Sequence, residues 1–311
     1  MDILGYLSKN LSIQKSQLLK FISSSPYRYK KYEIPKRNGK GNRTIAQPSK
    51  ELKFLQRSVC NRFLNDLPIH SAATAYRKGA SIRDNVRVHS GARYLLKMDF
   101  KDFFPSIRPD DLIDHIIKYK QADLPAEDRF VLEKLFFFGR VRGSPLELSI
   151  GSPTSPTISN TVMYDFDEAI SSICEKHNTS YTRYADDIAL STNRKGELFD
   201  FPCLFNEVIN KLAYPRLRFN PEKTVFLSRK DNIHVTGLVL TPDGDISIGR
   251  NKKRYIKSLV HKYTEGQLED SEIVYLRGYL SFCHDVEPAF IERLRRKHGT
   301  EALHMLVGRI G

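Results

Sequence analysis

Cysteine is scarce in this chain, and the few cysteines present are widely separated. Among 311 residues there are four, Cys60, Cys174, Cys203 and Cys283, with no Cys-x-x-Cys pair and no ligand-like spacing to histidine. Zinc ligands and disulfide frameworks recur at characteristic spacings, so we expect neither here. Scattered cysteines are typical of a reducing compartment, and the expected location is the cytoplasm.

Long apolar runs, internal repeats and low-complexity linkers are also missing. No apolar run approaches the roughly 20 residues that a membrane helix needs. No secretory apolar stretch follows Met1, and we therefore expect no membrane partner. The hydrophobic content of 40%, with 18 Phe and 15 Tyr, instead indicates a chain that folds around a core.

Positive charge is present in excess. Fifty Lys and Arg residues stand against 36 Asp and Glu, which gives a net charge of +14. Residues 1–57 hold 13 cations and three acids, and residues 249–262 hold no acid. This excess indicates an acidic partner, with nucleic acid ahead of a membrane surface. The alternative is that each cluster is an ordinary solvated face.

Hydrophobic periodicity predicts an α+β fold, because helical and strand patterns alternate along the chain. Helices are predicted within residues 1–26, 50–66, 111–120, 129–139, 157–177, 204–214 and 252–309. Strands are predicted within residues 34–49, 94–100, 181–190, 224–228, 234–240 and 245–249. The predicted strands carry the acids discussed below, and basic helical regions flank them.

The segment YTRYADDIAL, residues 181–190, places two aspartates side by side between stretches that suit buried strands. Neighbouring carboxylates repel each other, and each resists removal from water. A bound divalent cation would make this concentration of negative charge favourable. The alternative is an exposed Asp-Asp turn, because Asp readily bonds its own backbone in turns.

A second acid, Asp99, ends the predicted strand YLLKMDF. A two-metal phosphoryl-transfer site needs carboxylates from at least two strands, with the ions ~3.5–4 Å apart. Asp99, Asp186 and Asp187 together supply such ligands. Asp102 is a rival to Asp99, but it lies where the strand should be ending, so a cap or turn acid is the favoured interpretation.

Four motifs resemble, in order, the palm motifs of reverse transcriptases: LLKMDFKDFFPSI, IGSPTSPTISN, YTRYADDIALS and RFNPEKTVFLS. The resemblance covers about residues 34–250. Bacterial retron reverse transcriptases are similar in further features, namely IAQPSKELKFLQ, an Asn-x-x-x-His element at 85–89 and the element Val235-Thr236-Gly237. Val86 departs from this pattern, because alanine is usual after the asparagine.

The resemblance implies a right-hand polymerase of the α+β class, with fingers, a palm of antiparallel sheet plus helices, and a small helical thumb. The implied division is fingers with N-terminal helices at 1–94, palm at 95–110, a fingers–palm connection at 111–148, palm again at 149–245, and thumb at 246–311.

The resemblance also implies the catalytic residues. Asp99, Asp186, Asp187 and Lys223 are expected to act in catalysis, with Lys223 protonating the departing pyrophosphate; a surface lysine near a turn is the alternative. Two Mg²⁺ ions, for which Mn²⁺ can substitute, are expected at Asp99, Phe100, Asp186 and Asp187.

Nucleotide binding is implied at Lys36, Arg43, Phe104, Ile150 and Gly151. Lys36 and Arg43 resemble the pair that clamps the triphosphate, and Lys40 is an alternative to Lys36. Phe104 resembles the steric gate that excludes the ribose 2′-hydroxyl, although it could be a core phenylalanine like Phe103. Ile150 replaces the usual glutamine, so a polar contact to the nucleotide is lost or supplied elsewhere.

RNA binding is implied at Asn85, His89, Val235, Thr236, Gly237, Arg250, Lys252, Lys253, Arg254 and Lys257. The implied function is an RNA-directed DNA polymerase that copies part of a cognate noncoding RNA from deoxynucleoside triphosphates. Priming from an RNA 2′-hydroxyl would give a branched RNA–DNA product. The implied partners are this RNA, a host RNase H that removes the template, and an effector protein in anti-phage defence.

Four alternatives are left open by the sequence. A group II intron-like or a diversity-generating reverse transcriptase is disfavoured by the short C-terminus and the Val-Thr-Gly element. An RNA-dependent RNA polymerase is disfavoured by the bulky Phe104. A catalytically silent RNA-binding scaffold is disfavoured by three intact acids, and it would bind RNA equally well without Mg²⁺.

Overall fold

The computed structural model describes residues 1–36, 39, 41–121, 123–231 and 233–307, without the side chains of Ala302 and Val307. Lys40, the alternative nucleotide-binding lysine, lies outside the described residues. The chain forms two compact units. Unit 1 comprises residues 1–78, 98–188 and 199–224, and unit 2 comprises residues 79–97, 189–198 and the chain from 225 onward.

Most helices of the structure overlap the predicted helical segments, and the short helices at 82–87 and 103–106 were not predicted. The helices are α1 Ile3–Leu11, α2 Lys15–Ser24, α3 Lys50–Phe63, α4 Ile82–Arg87, α5 Phe103–Ser106, α6 Pro109–Lys120, α7 Ala126–Phe136, α8 Ser155–Val162, α9 Tyr164–Lys176, α10 Phe201–Lys211, α11 Arg250–Thr264, α12 Asp270–Val286, α13 Pro288–His298 and α14 Thr300–Val307, with short 3₁₀ helices η1 Ser25–Tyr27 and η2 Pro221–Lys223. Within the described ranges, none of these helices combines the length and apolar content that crossing a membrane requires.

The strands form separate small sheets. They are β1 Tyr29–Pro35, β2 Asn42–Pro48, β3 Tyr94–Asp99, β4 Phe137–Phe138, β5 Glu147–Leu148, β6 Ser180–Tyr184, β7 Asp187–Thr192, β8 Val225–Ser228, β9 Ile233–Val235, β10 Leu238–Leu240 and β11 Ile246–Ser247. The four-stranded sheet has the order β6-β7-β3-β8, and β3 pairs antiparallel with β8 from Tyr94 opposite Ser228 to Lys97 opposite Val225. The strands β1 and β2 form an antiparallel hairpin, and β9, β10 and β11 form another sheet.

The acid-bearing end of β3 rests on an aromatic cluster in unit 1. Phe100 stacks on Phe103 and Phe219, with ring centroids 5.6 and 4.8 Å apart, and meets Phe166 edge-on at 5.5 Å. Phe205 packs against Phe166 at 5.9 Å. Such close aromatic packing contributes beyond simple burial of area and holds the end of the strand in place.

The structure corrects two predicted helices. The helix predicted over 157–177 is two helices, α8 and α9, because Met163 has a ψ of 2° between them. The helix predicted over 129–139 ends at Phe136, because Phe137 and Phe138 enter strand β4 opposite Leu148 and Glu147. Aromatic residues suit strands as well as buried helices, so the pattern alone could not separate the two.

The strand predicted over 234–240 is also wrong. It is a hairpin of β9 and β10, whose connecting residues Thr236 and Gly237 have φ values of 46° and 84°. Two consecutive residues at positive φ make the tight turn whose twist suits antiparallel strands. A threonine at positive φ is uncommon, because its branched side chain crowds the backbone there. The sequence therefore offered no clear turn signal at Thr236.

Candidate active site

Asp99 lies at the end of β3, where two backbone hydrogen bonds join it to the other parts of the site. The N–H of Phe100 donates to the carbonyl of Asp186 at 3.2 Å. The N–H of Asn220 donates to the carbonyl of Asp99 at 2.8 Å. The strand end is thus bonded on one side to the Asp186 turn and on the other to the segment that carries Lys223.

Lys223 is paired with the buried carboxylate of Asp99. Its Nζ lies 2.8 Å from both carboxylate oxygens, and the Asp99 side chain is 7% exposed. Lys223 ends η2, whose first turn is capped by the Asn220 side chain accepting from the N–H of Glu222 at 3.2 Å. Burial raises the pKa of Asp99, the bond from Lys223 opposes that rise, and the negative charge of Asp186 adds to it.

The two adjacent aspartates lie at the tip of the hairpin between β6 and β7. Ala185 and Asp186 form the turn, Asp186 is half-buried and Asp187 is exposed at the start of β7. Ala185 has a φ of 58°, an uncommon conformation for a residue with a side chain. Asp102 lies elsewhere, exposed at a φ of 48° just before α5, as expected of a turn acid.

The donor set fits a hard divalent cation, although the carboxylates are not gathered into one metal-binding group. Among the described residues, no three His, Cys, Asp or Glu side chains come close enough to hold a metal ion. Carboxylate oxygens are nevertheless the preferred ligands of Mg²⁺, and a cation would relieve the cost of a buried Asp99 beside the charge of Asp186. The ring of Phe100 is buried in the aromatic cluster, so the backbone oxygen is the atom of Phe100 that a metal ion would contact.

The two phenylalanines after Asp102 differ in exposure. Phe103 is 3% exposed and stacks on Phe100, so it is a core residue. Phe104 is half-buried and meets Phe103 edge-on at 5.3 Å. Its partial exposure leaves Phe104 able to contact a ligand, which Phe103 cannot do.

The β1–β2 hairpin presents the predicted phosphate-binding cations. Lys36 and Arg43 are both exposed. The N–H of Lys36 donates to the carbonyl of Gly41 at 3.0 Å, which brings Lys36 next to the start of β2. Burial raises the pKa of Asp99, and Arg43 lies close enough for its positive charge to oppose that rise slightly.

Ile150 and Gly151 are attached to β2 by their backbone. The N–H of Ala46 donates to the carbonyl of Ile150 at 2.9 Å, a bond that any residue type at position 150 can accept. Gly151 has a φ of 118°, and a Cβ there would lie 3.1 Å from the carbonyl oxygen of Ala46. Glycine is favoured at 151, because a side chain would be strained at this φ and would press on the Ala46 backbone.

In unit 2 the structure joins the two elements that resemble retron sequences. The Asn85 side chain donates to the Thr236 hydroxyl at 3.2 Å, although the residues are 151 positions apart. His89 bonds through Nδ1 to the Ser191 hydroxyl at 2.8 Å. Asn85, His89 and Val235 are each 2% exposed or less. The prediction that these three side chains contact RNA is therefore corrected, because all three are buried, with Asn85 bonded to the Thr236–Gly237 turn and His89 bonded to β7.

The predicted RNA-binding cations of α11 do not share one environment. Arg250, Lys252, Arg254 and Lys257 are exposed. Lys252 donates to the carbonyl of Gly237 at 3.1 Å, which links the helix to the turn. Lys253 is half-buried, and its Nζ pairs with Glu287 at 2.6 Å, which links α11 to the residue just before α13.

Arg183 and Tyr76 were missed by the sequence analysis. Arg183 is fully buried and shares strand β6 with Tyr181, which the two-residue period of a strand places on the same face. A charged residue at an inward position was the signal that could have identified it. Tyr76 has a φ of 60°, and its ring lies 6.5 Å from that of Tyr184. No sequence signal marked Tyr76.

Comparison with known proteins agrees with the motifs. The family model described as "Reverse transcriptase (RNA-dependent DNA polymerase)" matches residues 34–240. The Retron Ec83 reverse transcriptase of Escherichia coli is 41% identical over 277 residues, covering 88% of each chain. The Retron Ec73 and Ec86 reverse transcriptases of the same species are 34% and 30% identical, covering 90% and 98% of this chain and 90% and 93% of theirs.

Among solved structures, a telomerase from Candida albicans in complex with a fragment of telomeric RNA aligns with 97% of this chain and 65% of its own. The identity is 14% and the TM-score is 0.48. The family match and the retron relatives confirm the predicted right-hand polymerase fold and the enzyme class. Motifs, family match and relatives agree that the chain belongs to the reverse transcriptase family, in the retron group, and that it is an RNA-directed DNA polymerase using an RNA template and deoxynucleoside triphosphates.

Proposed function

We propose that Asp99, Asp186 and Asp187 hold two Mg²⁺ ions, for which Mn²⁺ can substitute, with the backbone oxygen of Phe100 as a further donor. Such ions, when bound, stabilise the charge that develops on the attacking and leaving oxygens. The observation that carries this proposal is the hydrogen bonding of Asp99 and its neighbour, Phe100, to both the Asp186 turn and the Lys223 segment.

We propose that the surrounding side chains bind and orient the nucleotide. Lys36 and Arg43 hold the triphosphate, and the effect of the Arg43 charge on the Asp99 carboxyl group supports the proximity of Arg43 to the site. Phe104 excludes the ribose 2′-hydroxyl, and the Ile150–Gly151 backbone borders the nucleotide from its attachment to β2. Lys223 gives a proton to the departing pyrophosphate; its ammonium already lies within the site, 2.8 Å from Asp99.

We propose that the substrate is one structured noncoding RNA, which is both template and source of a priming 2′-hydroxyl, so that the product is a branched RNA–DNA hybrid. The identity of 41% to a retron reverse transcriptase and the Asn85–Thr236 bond between the two retron-like elements support this proposal. RNA is bound by the Thr236–Gly237 turn and the exposed cations of α11. These RNA-binding parts are held in place by Asn85, His89, Val235 and Lys253.

We further propose a role in anti-phage defence, with an effector protein as partner and a host RNase H removing the template. The proposed location is the cytoplasm. The four cysteines are free thiols, which agrees with a reducing compartment. The proposed division into fingers, palm and thumb at residues 94, 110, 148 and 245 follows the motifs and stays a prediction.

The test is deoxynucleotide incorporation by protein purified from its native locus, so that any bound RNA is retained. Wild type is compared with Asp186→Asn, and Asp102→Asn is the matched control because Asp102 is an exposed turn acid. We expect Mg²⁺-dependent synthesis by wild type and the control, loss in Asp186→Asn, and product joined to RNA after protease treatment. Synthesis by Asp186→Asn would contradict the metal site, and product formed on added primers alone would contradict the branched-product proposal.

A further inference from the structure

The guanidinium of Arg183 is the centre of a buried polar network beneath the aspartate turn. Arg183 and Asp167 are both 0% exposed, and the Arg183 Nε and Nη2 donate to the Asp167 carboxylate at 2.6 to 3.2 Å. Nη1 donates to the Asn160 side chain at 3.3 Å and to the carbonyl of Ala185 at 3.1 Å. The Tyr181 hydroxyl donates to Asp167 at 2.7 Å. One side chain thus connects α8, α9 and the turn.

The bond to Ala185 falls on a residue whose backbone conformation is unfavourable for a side chain. Ala185 is at positive φ immediately before Asp186, and such strain persists where the surroundings hold it. Arg183 holds the Ala185 carbonyl, and the N–H of Phe100 holds the Asp186 carbonyl. These two bonds together determine where the Asp186 and Asp187 side chains begin.

The same network holds a second segment, residues 72–76. The N–H and carbonyl of Arg183 bond to the backbone of residues 72 and 74, both at 2.8 Å. The Asn160 amide donates to the carbonyl of residue 75, also at 2.8 Å. Tyr76 follows directly. Burial raises the pKa of its hydroxyl, and the nearby negative charge of Asp186 adds to that rise. Turn and segment are therefore held by shared partners.

Stability alone does not account for a buried ion pair at this place. Exchange of such pairs for apolar residues of similar volume is often neutral or stabilising. Lysine would not reproduce the geometry, because the planar guanidinium directs five N–H donors in fixed directions and so reaches several acceptors at once. A guanidinium that bonds two helices and one turn carbonyl is suited to orienting that turn.

We propose that Arg183 is a positioning residue that sets the Ala185–Asp186 turn for divalent-metal binding, with Asp167 and Asn160 orienting its guanidinium. This inference rests on the proposed metal-binding role of Asp186 and Asp187. Groups that orient metal ligands typically affect metal affinity or activity by about 10–100-fold. Loss of the Arg183–Ala185 bond is accordingly expected to weaken metal binding about 10-fold or more.

The test uses the full-length protein with Arg183→Lys, and Arg183→Gln combined with Asp167→Asn so that neither charge is left buried alone. Ile170→Ala, a cavity variant on α9 whose side chain takes no part in the Arg183 hydrogen bonds, is the control for lowered stability. Mn²⁺ binding is measured by electron paramagnetic resonance, the Mg²⁺ dependence of incorporation by titration, and the melting temperature in parallel. Asp186→Asn is included as the reference for loss of the metal site.

We expect the Arg183 variants to bind Mn²⁺ about 10-fold more weakly and to need correspondingly more Mg²⁺, with the Ile170→Ala values at wild type. Unchanged metal dependence in the Arg183 variants, or an equal change in Ile170→Ala, would overturn the positioning role. Activity retained by Asp186→Asn would instead overturn the proposed metal site. If the Arg183 variants do not fold, the same comparison with Asn160→Ala decides the matter, because it removes one acceptor of the guanidinium and the bond to residue 75.

Discussion

Phe103 and Phe104 show how two identical neighbours acquire different roles. Phe103 completes the aromatic cluster under Asp99, and Phe104 is only half-buried beside it. A core phenylalanine stabilises by filling volume, whereas a partly exposed one is free to contact a substrate. The same distinction separates Asp99, buried and paired with Lys223, from the exposed Asp102 three residues later.

The sugar selectivity of the polymerase is expected to depend on Phe104. Phe104→Ala should accept ribonucleotides more readily, because the proposed obstacle to the 2′-hydroxyl is removed. Phe103→Ala is the control: it should lower the free energy of unfolding by about 3–5 kcal/mol while keeping the preference for deoxynucleotides. The measurement is the ratio of kcat/KM for matched deoxy- and ribonucleotides. An unchanged ratio in Phe104→Ala would rule out the gate.

Helix α11 shows that a run of cations in the sequence divides into roles within one element. The 3.6-residue period turns Lys253 toward Glu287 of the segment before α13, while Arg254 and Lys257 face outward. Ile256, Leu259 and Val260 form the buried face that packs in the core of unit 2. Exposed cations and packing residues therefore alternate along the helix.

The salt dependence of RNA binding is expected to distinguish these cations. Each phosphate contact contributes about 0.7–0.9 to the slope of log K against log salt. Arg254→Ala with Lys257→Ala should reduce the slope by about 1.5. Lys253→Ala should leave the slope unchanged and lower the melting temperature, because it breaks the pair with Glu287. Equal slopes for all variants, measured by filter binding at several salt concentrations, would argue against α11 as an RNA-binding element.

The stability of the whole molecule is linked to pH through buried histidines. Burial lowers the pKa of His115 to about 4, and the histidine bonds Thr161 at 2.9 Å and Tyr214 at 3.3 Å. Between pH 6.5 and 4, His115 binds a proton in the unfolded chain but stays neutral in the folded chain. The free energy of unfolding therefore falls as pH falls through this window. Burial raises the pKa of Asp111 to about 6, which has the opposite effect over a similar range.

His115→Asn is therefore expected to make unfolding less sensitive to acid than in wild type. The His115 contribution across the window is at most about 3 kcal/mol. Urea unfolding of both proteins at pH 7, 6 and 5 measures it, and the difference between the proteins cancels the contribution of Asp111. An equal loss of stability in wild type and His115→Asn as pH falls would show that folding does not keep His115 neutral.

The sequence by itself determined the acids, the order of the motifs and the alternation of helical and strand segments. Strand and helix periods are local, and Asp99 and the Asp186–Asp187 pair are each marked by the strand beside them. Their resemblance to known motifs was enough to identify the family and to propose the metal-binding residues. The secondary-structure predictions that were wrong, at residues 137, 163 and 236, depend on neighbours that lie far away in the sequence.

Only the tertiary structure decided which of the candidate residues are buried and which are paired. Lys223 meets Asp99 across 124 positions, and Asn85 meets Thr236 across 151. Packing buried His89 and paired Lys253 with Glu287, and Arg183 became a candidate because packing enclosed it. Burial and pairing arise from elements distant in the chain. The sequence therefore shows which chemistry a residue type can perform, whereas the fold sets the environment of that residue.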